Sequence, residues 1–293
     1  MVRLAGALTL AAVVAMPGVS QAQERRSIYA SVVDREGAPV ASLTARDFLV
    51  TEDGAPREVL SATRAVEPMQ IAVLVDTSQA ATRYVQDVRT AVRAFVRELA
   101  GQNEIALMEF GDRPTVITNY TLDVDRLERG VNRLFARQGS GAYSLDALID
   151  ASKNLQRREG SRHVIVLIST EGPEFSERYH RQVLDEVRSA ATLHAFVLTR
   201  RGGRGLDDGR RERELALTQG PSDTGGRSEF LITSMALEGR LKSLANELEN
   251  QYRVEYARPD SLLPPDKLRV SVKNEELTVR APRTLVAARR TGS

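Results

Sequence analysis

The stretch Ile71-Ala72-Val73-Leu74-Val75-Asp76-Thr77-Ser78 decides the fold. Its first five residues are all apolar and three are β-branched, so they read as a strand with no solvent side. A sheet containing such a strand must be covered on both faces. After Asp76, Val85, Val88, Val92, Val96 and Leu99 recur at spacings of three and four, the stripe of an amphipathic helix. The same alternation continues downstream. Ile105–Phe110, Val116-Ile117, His163–Ser169 and Leu193–Leu198 read as strands. Leu127, Val131 and Leu134 mark a helix, as do Leu145, Leu148, Ile149 and Leu155, and then Val183, Leu184 and Val187. Apolar strands separated by helices predict an α/β domain with a Rossmann-like, mainly parallel central sheet flanked by helices, over residues 67–250.

The flanks differ. Residues 23–66 carry β-rich runs, Ser27–Val33 and Asp47–Thr51, each closed by turn residues. Glu52-Asp53-Gly54 should turn the second run back into a hairpin with Arg57–Ala62. Strand signals return over 251–283 in Tyr252–Tyr256, Leu268–Val272 and Leu277–Arg280. Neither flank alone offers enough apolar surface for a core, which predicts one small β-unit built from both. Residues 284–293 read as a loose tail.

The first 22 residues, MVRLAGALTLAAVVAMPGVSQA, read as a signal peptide. Arg3 precedes an apolar run from Leu4 to Met16, Pro17-Gly18 breaks it, and Ser20 and Ala22 fit a cleavage site before Gln23. The run is shorter than the roughly 20 residues of a membrane span, and no later run is longer. The expectation is a mature chain with no membrane span, secreted or periplasmic after cleavage.

Composition removes several functions. Over 293 residues, 41 basic side chains face 39 acidic ones, a formal charge of +2 that argues against a nucleic-acid binder. The absence of cysteine excludes disulfides, thiolate metal sites and cysteine catalysis. With no tryptophan and 5% aromatics, there is little for base stacking.

Ligands of open parallel sheets sit beyond the carboxyl ends of the strands. Asp76-Thr77-Ser78-Gln79-Ala80 and Thr170-Glu171-Gly172 leave two buried strands there, and their oxygens suit a hard divalent cation. In order and spacing, Gly37–Val40, Leu43–Gly54, Val73–Ser78, Leu145–Leu148, Arg162–Gly172, Thr224–Arg227 and Gln251–Tyr256 resemble the von Willebrand factor A domain, in particular the secreted bacterial VWFA-related proteins. The resemblance implies a Rossmann-like sheet with a metal-ion-dependent adhesion site on its top face.

That site is degenerate here. Asp76 and Ser78 match the family's D-x-S-x-S loop, but Ala80 replaces its last serine. Ala142 stands where the second loop has threonine, and Glu171 where the third has aspartate. Ser140 and Ser144 are the candidates to supply the missing hydroxyl. The expected metal remnants are therefore Asp76, Ser78 and Glu171. Magnesium demands near-octahedral oxygen coordination, so water would have to replace the two lost hydroxyls.

Other sites are weaker. His163, His180 and His194 lack ligand spacing on one element. No G-x-S-x-G elbow supports a hydrolase, and Gly202-Gly203-Arg204-Gly205 lacks the phosphate-loop lysine pattern. Residues 200–213 hold six arginines against Asp207, Asp208 and Glu212 and read as a solvated loop or a contact for an anionic partner. The leading expectation is a non-enzymatic, extracytoplasmic protein-interaction or adhesion module with no cofactor and a protein partner. The alternative is ligand binding dependent on weakly held Mg2+, Ca2+ or Mn2+, and the third reading is a hydrolase.

Overall fold

The structure is a computed structural model that describes residues 23–160, 162–199, 207–259, 263 and 265–284. The expected signal peptide 1–22, the arginine-rich positions 200–206 and nearly all of the tail 284–293 lie outside the described residues. Six strands form the central sheet: β5 (Met69–Val75), β6 (Glu104–Glu109), β7 (Thr115–Thr121), β8 (Arg162–Thr170), β9 (Thr192–Leu198) and β10 (Ser228–Leu231). Their order is β10-β9-β8-β5-β6-β7, parallel except for β7 at one edge. The mainly parallel α/β sheet expected from the Ile71–Val75 run is present.

The apolar strands alternate between two cores. On one face Ile71, Val73 and Val75 of β5 meet α1 (Val85–Leu99), α2 (Val124–Asn132) and α6 (Ala236–Glu249). On the other, Ala72 and Leu74 meet α3 (Ser144–Leu155), α4 (His180–Ala190) and α5 (Asp208–Thr224). The valine stripe of α1 is buried as the spacing required, with Val88, Val92, Val96 and Leu99 at most 4% exposed. Helix α5 is a correction to the loop reading of 207–213. Asp207 caps it by accepting the Arg210 N–H at 2.8 Å. Arg213 turns inward from its first turns.

The flanks pair with each other. β1 (Gln23–Val33) runs antiparallel to β11 (Tyr252–Pro259), which in turn pairs with β4 (Val59–Arg64), and β13 (Thr278–Arg280) borders β1. A second sheet, of β12 (Leu268–Val272), β2 (Phe48–Glu52) and β3 (Ala55–Arg57), packs Phe48 and Val50 against Ile28, Tyr252 and Tyr256. Asp53 (φ 49°) and Gly54 (φ 84°) make the expected tight turn. Its return strand is Ala55–Arg57 rather than Arg57–Ala62, because the two-residue turn brings Ala55 directly opposite Glu52. Residues 59–64 instead pair with β11, a partner that lies about 200 residues away along the chain.

Buried arginines stitch this unit to the central sheet. Arg162, at the start of β8, donates to the carbonyls of Glu67 (2.8 Å) and Leu248 (2.7 Å) and to Gln251 Oε1 (3.0 Å). Gln251 passes the link to Ser31 Oγ on β1 at 3.2 Å. Glu247, 1% exposed at the end of α6, pairs with Arg280 of β13 at 3.1 Å and Arg227 at 3.5 Å. Gly225 ends α5 at φ 79°, and a Cβ there would lie 2.5 Å from the Ala281 carbonyl carbon, so glycine alone allows this approach.

Two stability changes follow. Glu247→Ala should cost about 3 kcal/mol in urea unfolding, because two arginines lose a buried counter-charge; an unchanged midpoint would refute that role. Gly239→Ala, on an exposed part of α6 with nothing within 4 Å of a new Cβ, should stabilise by about 0.5–1 kcal/mol in the same assay.

Candidate functional site

The strand order reverses between β5 and β8, and the carboxyl ends of these strands open at the top of the sheet. Three loops meet there: 76–84 after β5, 133–143 before α3, and 171–179 after β8. Asp76 leaves β5 with its N–H on Ile168 O of β8 (2.9 Å), so it is positioned by the parallel ladder. Its side chain is 3% exposed. Asp76 Oδ1 accepts the Ser78 N–H at 2.8 Å. Oδ2 accepts both the Thr170 N–H at 3.0 Å and the Thr170 hydroxyl at 2.6 Å. One carboxylate thereby shapes the first loop and ties it to the third.

Beside it, the hydroxyls of Thr77 and Ser78 are buried with no hydrogen-bond partner among the described residues. Gly172 lies close to the Ser78 hydroxyl. A Cβ on Gly172 would sit 2.5 Å from the Ala80 methyl, 3.5 Å from Ser78 Oγ and 3.6 Å from Thr170 Oγ1. The Ala80 methyl and the hydroxyls of Ser78 and Thr170 therefore border the space over Gly172. Ala142 is fully buried; its N–H donates to Pro173 O (2.9 Å), and its carbonyl accepts the Phe175 N–H (2.7 Å). This is a short parallel bridge between the second and third loops.

Of the residues the sequence singled out, Asp76 and Ser78 stand together on the first loop, with Ala80 beside Gly172. Glu171 is exposed on the wall of an open cleft of about 660 Å³, which Ala80 and Thr170 also line. Gln79, Thr82, Arg83, Tyr84, Gln138 and Ser140 also line this cleft. The hydroxyls of Ser140 and Ser144 both donate to protein oxygens. Ser140 Oγ donates to Arg137 O at 2.9 Å, and Ser144 Oγ donates to Glu174 Oε2 at 2.5 Å. Among the described residues, no three His, Asp or Glu side chains converge as a metal-binding group.

Glu174 is the residue that sequence reasoning missed. Its side chain is fully enclosed and takes the Ser144 N–H (3.0 Å) as well as the Ser144 hydroxyl, with Arg213 at 3.6 Å. Burial pushes its carboxyl above the ordinary range, against the hydrogen bonds of Ser144 and Ser176 and the charge of Arg213. Ser176 adds a hydrogen bond from the Asp146 N–H at 3.2 Å, so the third loop caps the start of α3 from outside that helix. The available signal was Ser144 two residues before Asp146, a hydroxyl at a helix start that needs a partner.

The histidines do not enter the cleft. His163 contacts Ala190 O at 3.2 Å, and burial lowers its pKa. His194 is fully buried, and desolvation, reinforced by Arg227 and Arg280, holds its imidazole well below the usual range. His180 pairs with Glu212 at 2.6 Å, tying α4 to α5. Backbone contact sets the top face as firmly as side chains do. A Cβ on Gly111 would lie 2.2 Å from the Thr77 carbonyl carbon. Gly111→Ala should therefore cost about 3 kcal/mol through forced displacement of the first loop, and a melting temperature equal to the parent's would contradict that packing.

Residues 71–172 match the family model of the von Willebrand factor type A domain. No curated protein matches the chain. Among solved structures, a von Willebrand factor type A protein from Catenulispora acidiphila is similar at 10% identity and TM-score 0.49, covering 92% of this chain and 74% of that one. The conserved hypothetical protein BatB from Bacteroides thetaiotaomicron is similar at 11% identity and TM-score 0.48, covering 62% of this chain and all of that one. Proximal thread matrix protein 1 from the mussel byssus is similar at 14% identity and TM-score 0.49, over 72% of this chain and 50% of that one. No helix among the described residues is long and apolar enough to cross a membrane. The family match thus covers the chain from β5 to the start of the loop after β8, about a third of its length.

Proposed function

We propose that this chain is a non-enzymatic, extracytoplasmic protein-interaction module that binds its partner at the top of the sheet without tight dependence on a metal. The observation that carries this reading is the cleft at the β5–β8 switch in strand order. It is open and of mixed polarity, with Arg83, Tyr84, Gln138, Ser140 and Glu171 among its lining. Such a surface offers hydrogen bonds, charge and an aromatic anchor to a protein partner. It offers no nucleophile beside a base. The three imidazoles are occupied by Ala190, Glu212 and the protein interior, which removes the usual general base.

The donor set does not fit a divalent cation. Both Asp76 oxygens already accept protein hydrogens, alanine stands at positions 80 and 142, and Glu171 lines the open cleft. A hard cation needs about six well-placed oxygens. A second reading, ligand binding through Mg2+, Ca2+ or Mn2+ with several waters, is favoured by one observation: the buried Ser78 hydroxyl lacks a protein partner. The secreted or periplasmic location rests on the sequence of residues 1–22.

Thermal unfolding with magnesium, calcium, manganese or chelator should give the same midpoint within experimental scatter. A metal-induced rise abolished by Asp76→Ala would overturn the metal-independent reading. Crosslinking in the source cells should capture a protein partner with the parent chain, and Arg83→Glu should weaken capture about tenfold while leaving the melting temperature unchanged. Equal capture by both chains would remove the cleft from the interaction.

A further inference from the structure

The three top loops are bound to one another pairwise, and each pair uses different atoms. The first is held to the end of β8, where the third begins, by the bonds of Asp76 to Thr170 at 2.6 Å and 3.0 Å, and it meets the third itself where the Ala80 methyl lies against Gly172. The first and second are joined by main-chain bonds, Arg137 N–H to Thr77 O (2.8 Å) and Gln79 N–H to Ser140 O (3.2 Å). The Gln79 side chain adds a third bond, accepting the Gly139 N–H at 2.9 Å. The second and third are joined by the Ala142 bridge to Pro173 and Phe175, and by Glu174, which holds Ser144 through both of its oxygens.

We infer that this closed ring of hydrogen bonds, with Glu174 and Gln79 as its positioning residues, cross-links the three loops in place of an ion and keeps the binding face preformed. The inference deepens the metal-independent reading of the same face and rests on it. A bound cation joins loops by drawing one oxygen from each to a common point. Here the loops are drawn to one another instead, at the positions where two of those oxygens have become methyl groups. Ala142 spends both of its main-chain groups on the third loop, and Glu174 carries a carboxylate into the interior to hold the second. A buried carboxylate is costly unless hydrogen-bonded donors surround it. Its enclosure by Ser144, Ser176 and Arg213 marks a built contact rather than a chance one.

The ring makes the loops cooperative: releasing one link should loosen all three. Amide hydrogen exchange on the purified chain reads this directly. In the parent, exchange over 76–80, 137–143 and 172–176 should be the same with magnesium and with chelator. Glu174→Ala should speed exchange about tenfold or more in all three segments, and Glu174→Gln, which keeps an acceptor for the Ser144 N–H, should recover most of the protection. Gln79→Ala removes a link at the rim of the cleft. It should speed exchange at 137–143, where its side chain bonds Gly139, and also at 172–176 across the ring, which keeps the test usable if Glu174→Ala fails to fold. Slowing of exchange by magnesium in the parent would overturn the metal-independent reading itself. With no magnesium effect, faster exchange confined to the mutated loop in both alanine variants would overturn the ring while leaving that reading intact.

Discussion

Asp76 is where the sheet passes its geometry to the loops above it. Strand β5 is buried on both faces, so its end is fixed by parallel ladders to β6 and β8, and the carboxylate leaves the sheet in one direction only. Three donors converge on that carboxylate, one from the first loop at Oδ1 and two from the end of β8 at Oδ2. Hydrogen bonds to an ionised acceptor are about twice as strong as neutral ones, and these are shielded from water. The first loop takes its turn from this contact, the third loop its starting point, and the second is then held between them.

The β-unit imposes a second constraint from the opposite end of the molecule. Helix α6 runs directly into β11, so the last helix over the central sheet and a central strand of the small β-unit are one continuous piece of chain. Its final turn is gripped by arginines from three places: Arg162 on β8, Arg227 before β10 and Arg280 on β13. Few polar groups in that seam can be exchanged singly, since Glu247 answers two arginines and Arg162 is held by buried neutral oxygens. The two units therefore behave as one body, with the cleft on the face away from the seam.

Much of this was legible from residues alone. Continuous apolar strands and a three-four helical stripe required a covered parallel sheet, and Asp53-Gly54 required a tight turn. The helix at 208–224 is hidden in the sequence because its polar first turns look like a solvated loop; its inward residues Arg213, Ala216 and Leu217 are set by α4, β9 and Glu174 beside it. The hairpin return of β2 was placed too late because β-propensity does not choose between a near partner and a far one. Residues 59–64 found β11 instead. Glu174 was passed over because a lone acid in a loop has no signature until a helix start is brought against it.

The sequence by itself determined the class of fold, the central strands and the strand end from which Asp76 emerges, because those follow from local apolar periodicity and from the need to cover both faces of a parallel strand. It also determined which oxygens are missing at positions 80 and 142, since that depends on residue identity alone. The tertiary structure decided what stands in their place. Whether an alanine leaves a gap or a contact, whether a serine faces a ligand or a buried carboxylate, and which strands of the flanks pair all depend on groups far apart in the chain. Such contacts depend on long-range packing, and local pattern does not record them.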